Sequence, residues 1–260
     1  MNSSNDIVIN HEGGVFYFRY LSWDTEFFGR KSYVLDAAKS IFKPGAEIRE
    51  RIIHSLSDSF VTAKINTDIG IETISFLEEC GFYYVDTEVR LRYAGSCRGS
   101  QSSDTGSVTI ERPQHISGLP CELLGGAFTQ TRFHTDFHIS GQTADQLWIS
   151  YLKNYQPSPN GHLFTAKTGN DVAGIIVVNT DGDEATFFYV SVIDKFRNRG
   201  IGSMLINKAA ACFTGYNIFT GTQIKNTAAL NFYIKNGFTE IDSTKTVLHY
   251  WGAARGAISF

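Results

Sequence analysis

The chain has 260 residues, of which 42% are hydrophobic and 19% are charged, and its formal net charge is -3. This is an ordinary globular composition, long enough for one large or two small domains. A net negative charge argues against a general nucleic-acid binder, which needs a basic surface to neutralise phosphates. The sequence contains no run of 18 apolar residues, so we expect no membrane span.

The N-terminus and the cysteines both favour a cytoplasmic location. The first residues, MNSSNDIVINHEGG, are polar and acidic, unlike a signal or transit peptide. Cys80, Cys97, Cys121 and Cys212 lie far apart, with no C-x-x-C pair to indicate a zinc or redox site. Four reduced thiols are typical of a cytoplasmic protein, and we expect no bound metal.

A stretch of small polar residues divides the chain. Residues 95–107 read GSCRGSQSSDTGS, which has the composition of a linker and no apolar periodicity. We therefore predict a first domain over residues 1–94, a linker over 95–107 and a second domain over 108–260.

The two halves end alike. Residues 74–93 (ISFLEECGFYYVDTEVRLRY) and 230–250 (LNFYIKNGFTEIDSTKTVLHY) both read as a helix, a glycine and a long strand. Gly81 and Gly237 suit a left-handed residue after the helix end. We interpret the likeness as a structural repeat, with chance similarity of two such units as the alternative.

In the second half, helical and strand patterns predict a mixed α+β domain with a largely antiparallel sheet. Consecutive strands joined by short turns distinguish it from the strict alternation of a Rossmann fold. The predicted strands are 108–111, 161–168, 172–180, 185–193, 217–221 and 238–250, and the predicted helices are 114–128, 142–155, 200–214 and 227–236.

A basic, glycine-containing turn precedes one of these helices. In residues 196–209 (FRNRGIGSMLINKA), Arg197 and Arg199 alternate with Gly200 and Gly202 at the helix start. A helix N-terminus has unpaired N–H groups and partial positive charge, and glycine lets a phosphate approach the backbone. The pattern favours an anion site. An ordinary turn with solvated arginines is the alternative, because a lone G-x-G often occurs by chance.

A second motif lies in the next predicted helix. In KNTAALNFYIKNGF, Asn226, Ala229 and Tyr233 are spaced by three and four residues, so they share one helical face. The alternative is an N-cap asparagine, a small core alanine and a half-buried tyrosine.

Together, Val192, the turn R197-x-x-G200-x-G202 and N226-x-x-A229-x-x-x-Y233 resemble the GNAT family of acetyl-CoA-dependent N-acetyltransferases. The resemblance covers residues 160–250. It implies that the basic turn holds the coenzyme A pyrophosphate, that Asn226 contacts the pantetheine arm and that Tyr233 protonates the departing thiolate. The implied acetyl-CoA-binding residues are Val190, Val192, Arg197, Asn198, Arg199, Gly200, Ile201, Gly202, Asn226 and Ala229.

Three segments also resemble the dTDP-fucosamine (dTDP-4-amino-4,6-dideoxygalactose) acetyltransferase group. They are residues 21–32 (LSWDTEFFGRKS), 127–138 (AFTQTRFHTDFH) and 221–237 (GTQIKNTAALNFYIKNG). The resemblance implies a GNAT fold preceded by a truncated GNAT-like N-terminal domain, and a nucleotide-sugar substrate used for surface polysaccharide such as lipopolysaccharide. The chain departs from the group at Thr131, where the group has serine, at Phe232, where it has arginine, and in a longer turn before RNRGIG.

The segment TRFHTDFH supplies the predicted substrate-binding residues, Arg132, Phe133, His134 and Asp136. The planar fork of Arg132 suits phosphate oxygens, with a surface salt bridge as the alternative. His134, Asp136, His138 or a water molecule could take the proton of the amine. The two histidines also have the i, i+4 spacing of helical metal ligands, but no third ligand is evident.

Acetyl transfer also needs a polarised thioester carbonyl and an acid for the leaving thiolate. We expect a free strand edge at residues 190–193 to supply the N–H of Val192, and Tyr233 to be the acid. The first half has no counterpart of the basic turn and has Leu77 in register with Tyr233, so we assign acetyl-CoA to the second half.

Two other functions stay open at this point. The protein could acetylate another primary amine, such as a peptide N-terminus, a polyamine or an aminoglycoside. It could also be a non-enzymatic regulatory domain that binds coenzyme A, although intact Gly200, Gly202, Asn226 and Tyr233 favour an enzyme. The sequence predicts a small-molecule partner rather than nucleic acid, and it leaves a homodimer open.

Overall fold

The computed structural model of the protein describes residues 5–68, 71–95, 108–113 and 118–252. These residues form two compact units. The first contains the described residues up to Glu88 and those from Thr244 onward, and the second is Val89–Ser243. Two strands, β5 (Tyr83–Arg92) and β11 (Glu240–Trp251), each begin in one unit and end in the other. No helix in the described ranges is long and apolar enough to cross a membrane.

The first unit has a mixed sheet with the spatial order β1-β2-β3-β4-β11. β3 and β4 run parallel, whereas β1–β2, β2–β3 and β4–β11 are antiparallel pairs. Three helices accompany the sheet. The elements are β1 (Ile7–His11), β2 (Gly14–Tyr20), α1 (Ser22–Phe28), β3 (Lys31–Leu35), α2 (Ala46–Ser55), β4 (Ser59–Asn66) and α3 (Ile71–Glu79).

The second unit has the strand order β5-β10-β9-β8-β7-β6. β9 and β10 run parallel, and β6–β7, β7–β8 and β8–β9 are antiparallel pairs. The predicted mixed, mostly antiparallel sheet is therefore confirmed. Its elements are β6 (Val108–Glu111), α4 (Cys121–Gly125), α5 (Arg132–Thr135), α6 (Gly141–Asn154), β7 (Gly161–Thr168), β8 (Asp171–Asp181), β9 (Glu184–Val192), α7 (Ile201–Cys212), β10 (Asn217–Gln223) and α8 (Thr227–Lys235).

Helices cover both faces of this second sheet. On one face, a Cβ placed on Gly174 of β8 would lie 3.3 Å from Leu205 of α7. On the other, the hydroxyls of Tyr189 and Ser191 in β9 both donate to the carbonyl oxygen of Leu124 in α4. Burial on two sides explains why the centre of β8 is a continuous apolar run, AGIIVV.

The two similar segments end their helices in the same way. Gly81 and Gly237 have φ angles of 95° and 93°. Phe82 N donates to Leu77 O, and Phe238 N donates to Tyr233 O, so each helix is closed by the same backbone hydrogen bond. The predicted left-handed glycines are thus confirmed.

Some predicted boundaries differ from the structure. Within the described part of the helix predicted over 114–128, the helix is α4, which ends at Gly125 where a Cβ would lie 2.8 Å from the Ile149 backbone of α6. Cys212, which its helical position predicts to be buried, is exposed at the last residue of α7. Residues 114–117 and the predicted linker 95–107, apart from Gly95, lie outside the described residues.

The division into domains over 1–94 and 108–260 stays a prediction. The compact units are drawn differently because the end of β11 pairs with β4, from Lys245↔Asn66 to Trp251↔Phe60. The end of β5 lies beside β10, where Tyr93 N donates to Ile218 O.

Candidate active site

Strands β9 and β10 separate part-way along their length. Their parallel pairing runs from Glu184↔Asn217 to Phe187↔Thr220. At that point the register of β9 against β8 shifts, so that Phe188 is an extra residue between Phe187 and Tyr189. A bulge of this kind bends its strand. The remainder of β9, up to Val192, therefore leaves β10 and presents an unpaired edge within the described strands.

Two backbone N–H groups point into the opening. Ile193 N donates to Ala173 O of β8, which makes residues 193 and 191 the hydrogen-bonded positions of this antiparallel pair. Val190 and Val192 occupy the alternate positions. Their N–H groups face away from β8, toward the side from which β10 has departed. The structure thus contains the strand edge predicted for residues 190–193.

The basic turn follows directly after β9. Asn198 and Gly200 have φ angles of 61° and 77°, and Gly200 is the N-cap of α7. Arg197 donates to Val192 O at 3.2 Å and pairs with Asp194 at 2.9 Å. Arg199 is exposed. Left-handed residues ahead of a helix N-terminus group several N–H donors, an arrangement that suits an anion.

Gly202 is required for helix packing. A Cβ at this position would lie 2.9 Å from Cζ of Phe232 in α8, closer than side chains tolerate. The same Cβ would lie 3.7 Å from Cγ2 of Val192 at the end of β9. Phe232, at the position where the resembled sugar acetyltransferases have arginine, packs closely against the first turn of α7.

Asn226 caps α8. Its Oδ1 accepts a hydrogen bond from Ala229 N at 3.1 Å. This is the N-cap geometry that was considered above as the alternative to a cofactor contact. The cap uses the amide oxygen and leaves the NH₂ group outside this contact, so capping and contact with a pantetheine arm are compatible.

Tyr233 lies where the two strands part. Its side chain is buried, with 8% of the residue exposed, and its hydroxyl lies near the Thr220 side chain. Thr220 Oγ1 in turn donates to Phe187 O at 3.0 Å. Thr220 and Phe187 are the last paired residues of β10 and β9. Burial raises the pKa of Tyr233, which keeps the phenol protonated and able to act as an acid.

The raised pKa predicts how stability depends on pH. An unfolded chain releases the tyrosine proton above pH ~10, whereas buried Tyr233 retains it. Its contribution to stability is complete below pH ~10 and falls above it, by at most ~1.4 kcal/mol per pH unit. We expect the free energy of unfolding to fall more from about pH 9 to about pH 11 in the wild type than in Tyr233→Phe, in denaturant titrations. Equal losses would contradict a buried, protonated tyrosine.

Within the segment TRFHTDFH, residues 132–135 form one helical turn, α5, and Thr131 is at its N-cap position without a side-chain capping bond. Phe133 and Asp136 are buried, and Asp136 accepts from His138 N at 2.9 Å. The Arg132 guanidinium lies 4.2 Å from the centre of the Phe133 ring. Of the four predicted substrate-binding residues, Arg132 and His134 are partly exposed, and Phe133 and Asp136 face the interior.

The helical metal-ligand spacing considered for His134 and His138 does not exist, because α5 ends at Thr135. His134 instead contacts Thr131 and Asp145. Within the described ranges, no group of three or more histidine, cysteine, aspartate and glutamate side chains could hold a metal ion.

Sequence reasoning missed an aromatic cluster that borders β9. Trp148 and Tyr151 lie in α6 and Tyr155 directly follows its end, at spacings of three and four residues, and that helical spacing is the signal that could have revealed the cluster. The rings of Trp148 and Tyr151 contact those of Phe128, Phe188 and Tyr189, with centroid separations from 5.0 to 6.1 Å, and Tyr155 packs on Tyr151. A packed group of aromatic rings thus lies between α6 and β9.

Comparison with known proteins agrees with this geometry. Residues 159–240 match the family model described as Acetyltransferase (GNAT) domain. Over 134 residues the chain is 25% identical to the spore coat polysaccharide biosynthesis protein SpsD of Bacillus subtilis (strain 168). That match covers 50% of this chain and 46% of SpsD, so the chain matches about half the length of this curated relative.

Two solved structures resemble nearly the whole chain. A GCN5-related N-acetyltransferase from Kribbella flavida is similar with a TM-score of 0.59 and 12% identity, covering 96% of this chain and 91% of that one. A tandem GNAT protein from the clavulanic acid biosynthesis pathway has a TM-score of 0.51 and 12% identity, covering 95% and 82%. The predicted GNAT fold is confirmed, and the match over residues 159–240 supports the predicted enzyme class, an acetyl-CoA-dependent N-acetyltransferase.

Proposed function

We propose that the protein transfers an acetyl group from acetyl-CoA to the primary amine of a dTDP-linked amino-deoxy sugar destined for a surface polysaccharide. The observation that carries the acetyl-transfer part is the opening between β9 and β10. The N–H groups of Val190 and Val192 face it, and Tyr233 lies at its closed end. The sugar is supported by the resemblance of residues 127–138 and 221–237 to sugar acetyltransferases, and by the name of the distant relative SpsD.

Acetyl-CoA fits the residues of the second unit. The N–H groups at the start of α7 and the Arg197 and Arg199 guanidiniums would receive the pyrophosphate. The NH₂ group of Asn226 would contact the pantetheine arm. Val192 N–H would donate to the carbonyl oxygen that carries negative charge during transfer, and one such preorganised donor is worth about 3 kcal/mol. Tyr233 would protonate the thiolate.

We place the amine substrate on the side of β9 opposite to acetyl-CoA. The aromatic cluster lies there, and Arg132, a partly exposed cation, follows Thr131, which contacts Trp148 of the cluster. A guanidinium suits a nucleotide diphosphate, and aromatic rings suit the face of a base or sugar. The cytoplasmic location remains a prediction that this substrate choice requires.

Charge reversal in the basic turn should weaken acetyl-CoA binding. We expect Arg199→Glu to raise the calorimetric Kd at least tenfold, about 1.4 kcal/mol, because a carboxylate would face the pyrophosphate. Lys208→Glu, an equal charge change at an exposed position of α7, is the matched control. Gly200→Val is a poorer test, because a φ of 77° strains a branched side chain whatever binds there. Equal affinity of the Arg199 and Lys208 variants would remove the pyrophosphate from this turn.

A thiol-release assay with acetyl-CoA tests the substrate. The panel contains dTDP- and UDP-linked amino sugars, a peptide N-terminus, a polyamine and an aminoglycoside. We expect turnover of a dTDP-amino sugar and little with the others. Turnover of one of the other amines alone would favour a different GNAT specificity. Acetyl-CoA binding without turnover of any amine would favour a regulatory domain.

A further inference from the structure

A chain of hydrogen bonds joins α5 to α6 and includes three residues with complementary acid–base properties. Thr131 Oγ1 lies 2.8 Å from His134 Nδ1, and His134 Nε2 lies 3.0 Å from Asp145 Oδ1. The indole of Trp148 contacts the same threonine, with Nε1 at 3.5 Å from Oγ1. A hydroxyl, an imidazole and a carboxylate thus follow one another in sequence.

The direction of each hydrogen bond follows from the donors. An indole N–H can only donate, so Trp148 donates to Thr131 Oγ1. The Thr131 hydroxyl then donates its own proton to His134 Nδ1, which must be the unprotonated ring nitrogen. Nε2 carries the imidazole proton and donates it to Asp145. The network therefore selects the tautomer in which Nδ1 can accept a proton.

This chain of hydrogen bonds lies on the side of β9 assigned to the amine. The Trp148 ring stacks on Phe128 with centroids 5.0 Å apart, and Phe128 lies 4.3 Å from Tyr189, the neighbour of Val190. At the other end of α5, Lys225 Nζ donates to Thr135 Oγ1. Lys225 immediately precedes the α8 cap, so α5 is connected both to the β9 side and to the start of α8.

The same chain of hydrogen bonds runs from the interior of the protein to solvent. Thr131 is 4% exposed, whereas the His134 and Asp145 side chains are 14% and 45% exposed. A proton received at the inner end can therefore reach water at the outer end. Thr131 Oγ1 accepts from Trp148 with one lone pair, and its second lone pair can accept an amine N–H.

We propose that Thr131, His134 and Asp145 form the proton relay that deprotonates the attacking amine, an inference that rests on the proposed acetyl transfer. As the amine nitrogen bonds to the acetyl carbonyl carbon, its surplus proton moves to Thr131 Oγ while the Thr131 proton moves to His134 Nδ1. Asp145 stabilises the imidazolium. The carbon–sulfur bond breaks, and the sulfur takes its proton from Tyr233. Release of a proton from His134 to water and return of one to Tyr233 restore the enzyme.

Removal of the relay should slow chemistry rather than weaken binding. With the amine that the wild type turns over, we expect Thr131→Val and His134→Gln to lower the single-turnover rate by about 10²-fold or more. KM for acetyl-CoA should change little, and Thr131→Ser, which keeps the hydroxyl, should restore most of the rate. His54→Gln, at an exposed position of the first unit, is the control. Rates above half of wild type in well-folded Thr131→Val and His134→Gln would overturn the relay.

The tautomer of His134 gives a readout that needs no amine. Nitrogen-15 NMR, with the signal assigned through His134→Gln, should show an unprotonated Nδ1 and a protonated Nε2. A protonated Nδ1 would overturn the relay whatever the substrate. Failure of every amine in the panel would instead count against the proposed function alone, and the tautomer would still decide whether His134 can accept a proton from Thr131.

Discussion

Tyr233→Phe is expected to lower kcat by about 10²–10⁴-fold, while the KM for acetyl-CoA stays about level. The substitution removes one hydroxyl and keeps the ring. If that hydroxyl protonates the departing thiolate, its loss acts only on the transition state. The position supports this role, because the hydroxyl lies near Thr220, at the point where β9 and β10 separate.

A purely structural tyrosine predicts a different result. A polar contact of the hydroxyl with Thr220 would contribute about 0.5–1.5 kcal/mol to stability, and Thr220 keeps its own bond to Phe187 O in the variant. A structural role would therefore lower the melting temperature slightly and leave the rate intact. Tyr216→Phe, which removes a hydroxyl from an exposed tyrosine, controls for the substitution itself.

Single-turnover measurement of thiol release is the appropriate assay, because slow product release could hide a change in the chemical step. A well-folded Tyr233→Phe enzyme that retains more than half of the wild-type single-turnover rate would exclude Tyr233 as the acid.

The sequence predicted most strands of the second unit closely. The predicted strand 161–168 coincides with β7, and the predictions for β8 and β9 each differ by one residue at either end. These strands are short apolar runs bounded by glycine, asparagine and aspartate. The hydrophobic pattern and the turn residues therefore indicate the same strand boundaries. The basic turn and α8 were located for the same reason, since glycine and asparagine mark helix starts.

The decisive feature of the site could not be predicted in this way. The bulge at Phe188 depends on the register of β9 against β8, and register is a property of two strands rather than of one sequence window. The same holds for β11. Its likeness to β5 is visible in the sequence, but its pairing with β4 is a long-range choice.

The candidate proton relay was likewise predictable from the sequence only in part. Thr131 and His134 lie three residues apart in a segment that the sequence singled out, and His134 was a candidate base. Asp145 and Trp148 belong to α6, and only tertiary packing brings them to Thr131 and His134. Phe133 and Asp136, in the same segment, are buried because a one-turn helix points only part of its side chains to solvent.

The second large effect expected concerns stability at Gly202. Gly202→Ala should destabilise the wild type but stabilise the Phe232→Ala variant. In the wild type, Gly202→Ala should destabilise the fold, because its Cβ would lie 2.9 Å from the Phe232 ring and overpacking costs about 1–3 kcal/mol. In a Phe232→Ala background the obstacle is gone. There the same change should stabilise by up to about 1 kcal/mol, since alanine is a better helix former than glycine.

A double-mutant cycle measures this coupling in denaturant titrations, and we expect an interaction of about 1–3 kcal/mol. Additive effects of the two substitutions would mean that Gly202 and Phe232 do not pack as described.

The wild type, the two single variants and the double variant also distinguish two explanations for why position 202 is a glycine. If Gly202 is present to let a phosphate approach its Cα, Gly202→Ala should weaken acetyl-CoA binding even without the Phe232 ring. The 2.9 Å approach to the Phe232 ring argues otherwise, because it gives position 202 a packing reason to be glycine that involves no phosphate. We therefore expect the Kd values of Phe232→Ala and of the double variant to agree within about threefold, less than 1 kcal/mol. In that case the backbone N–H of Gly202 serves the cofactor, and its missing side chain serves the contact between α7 and α8.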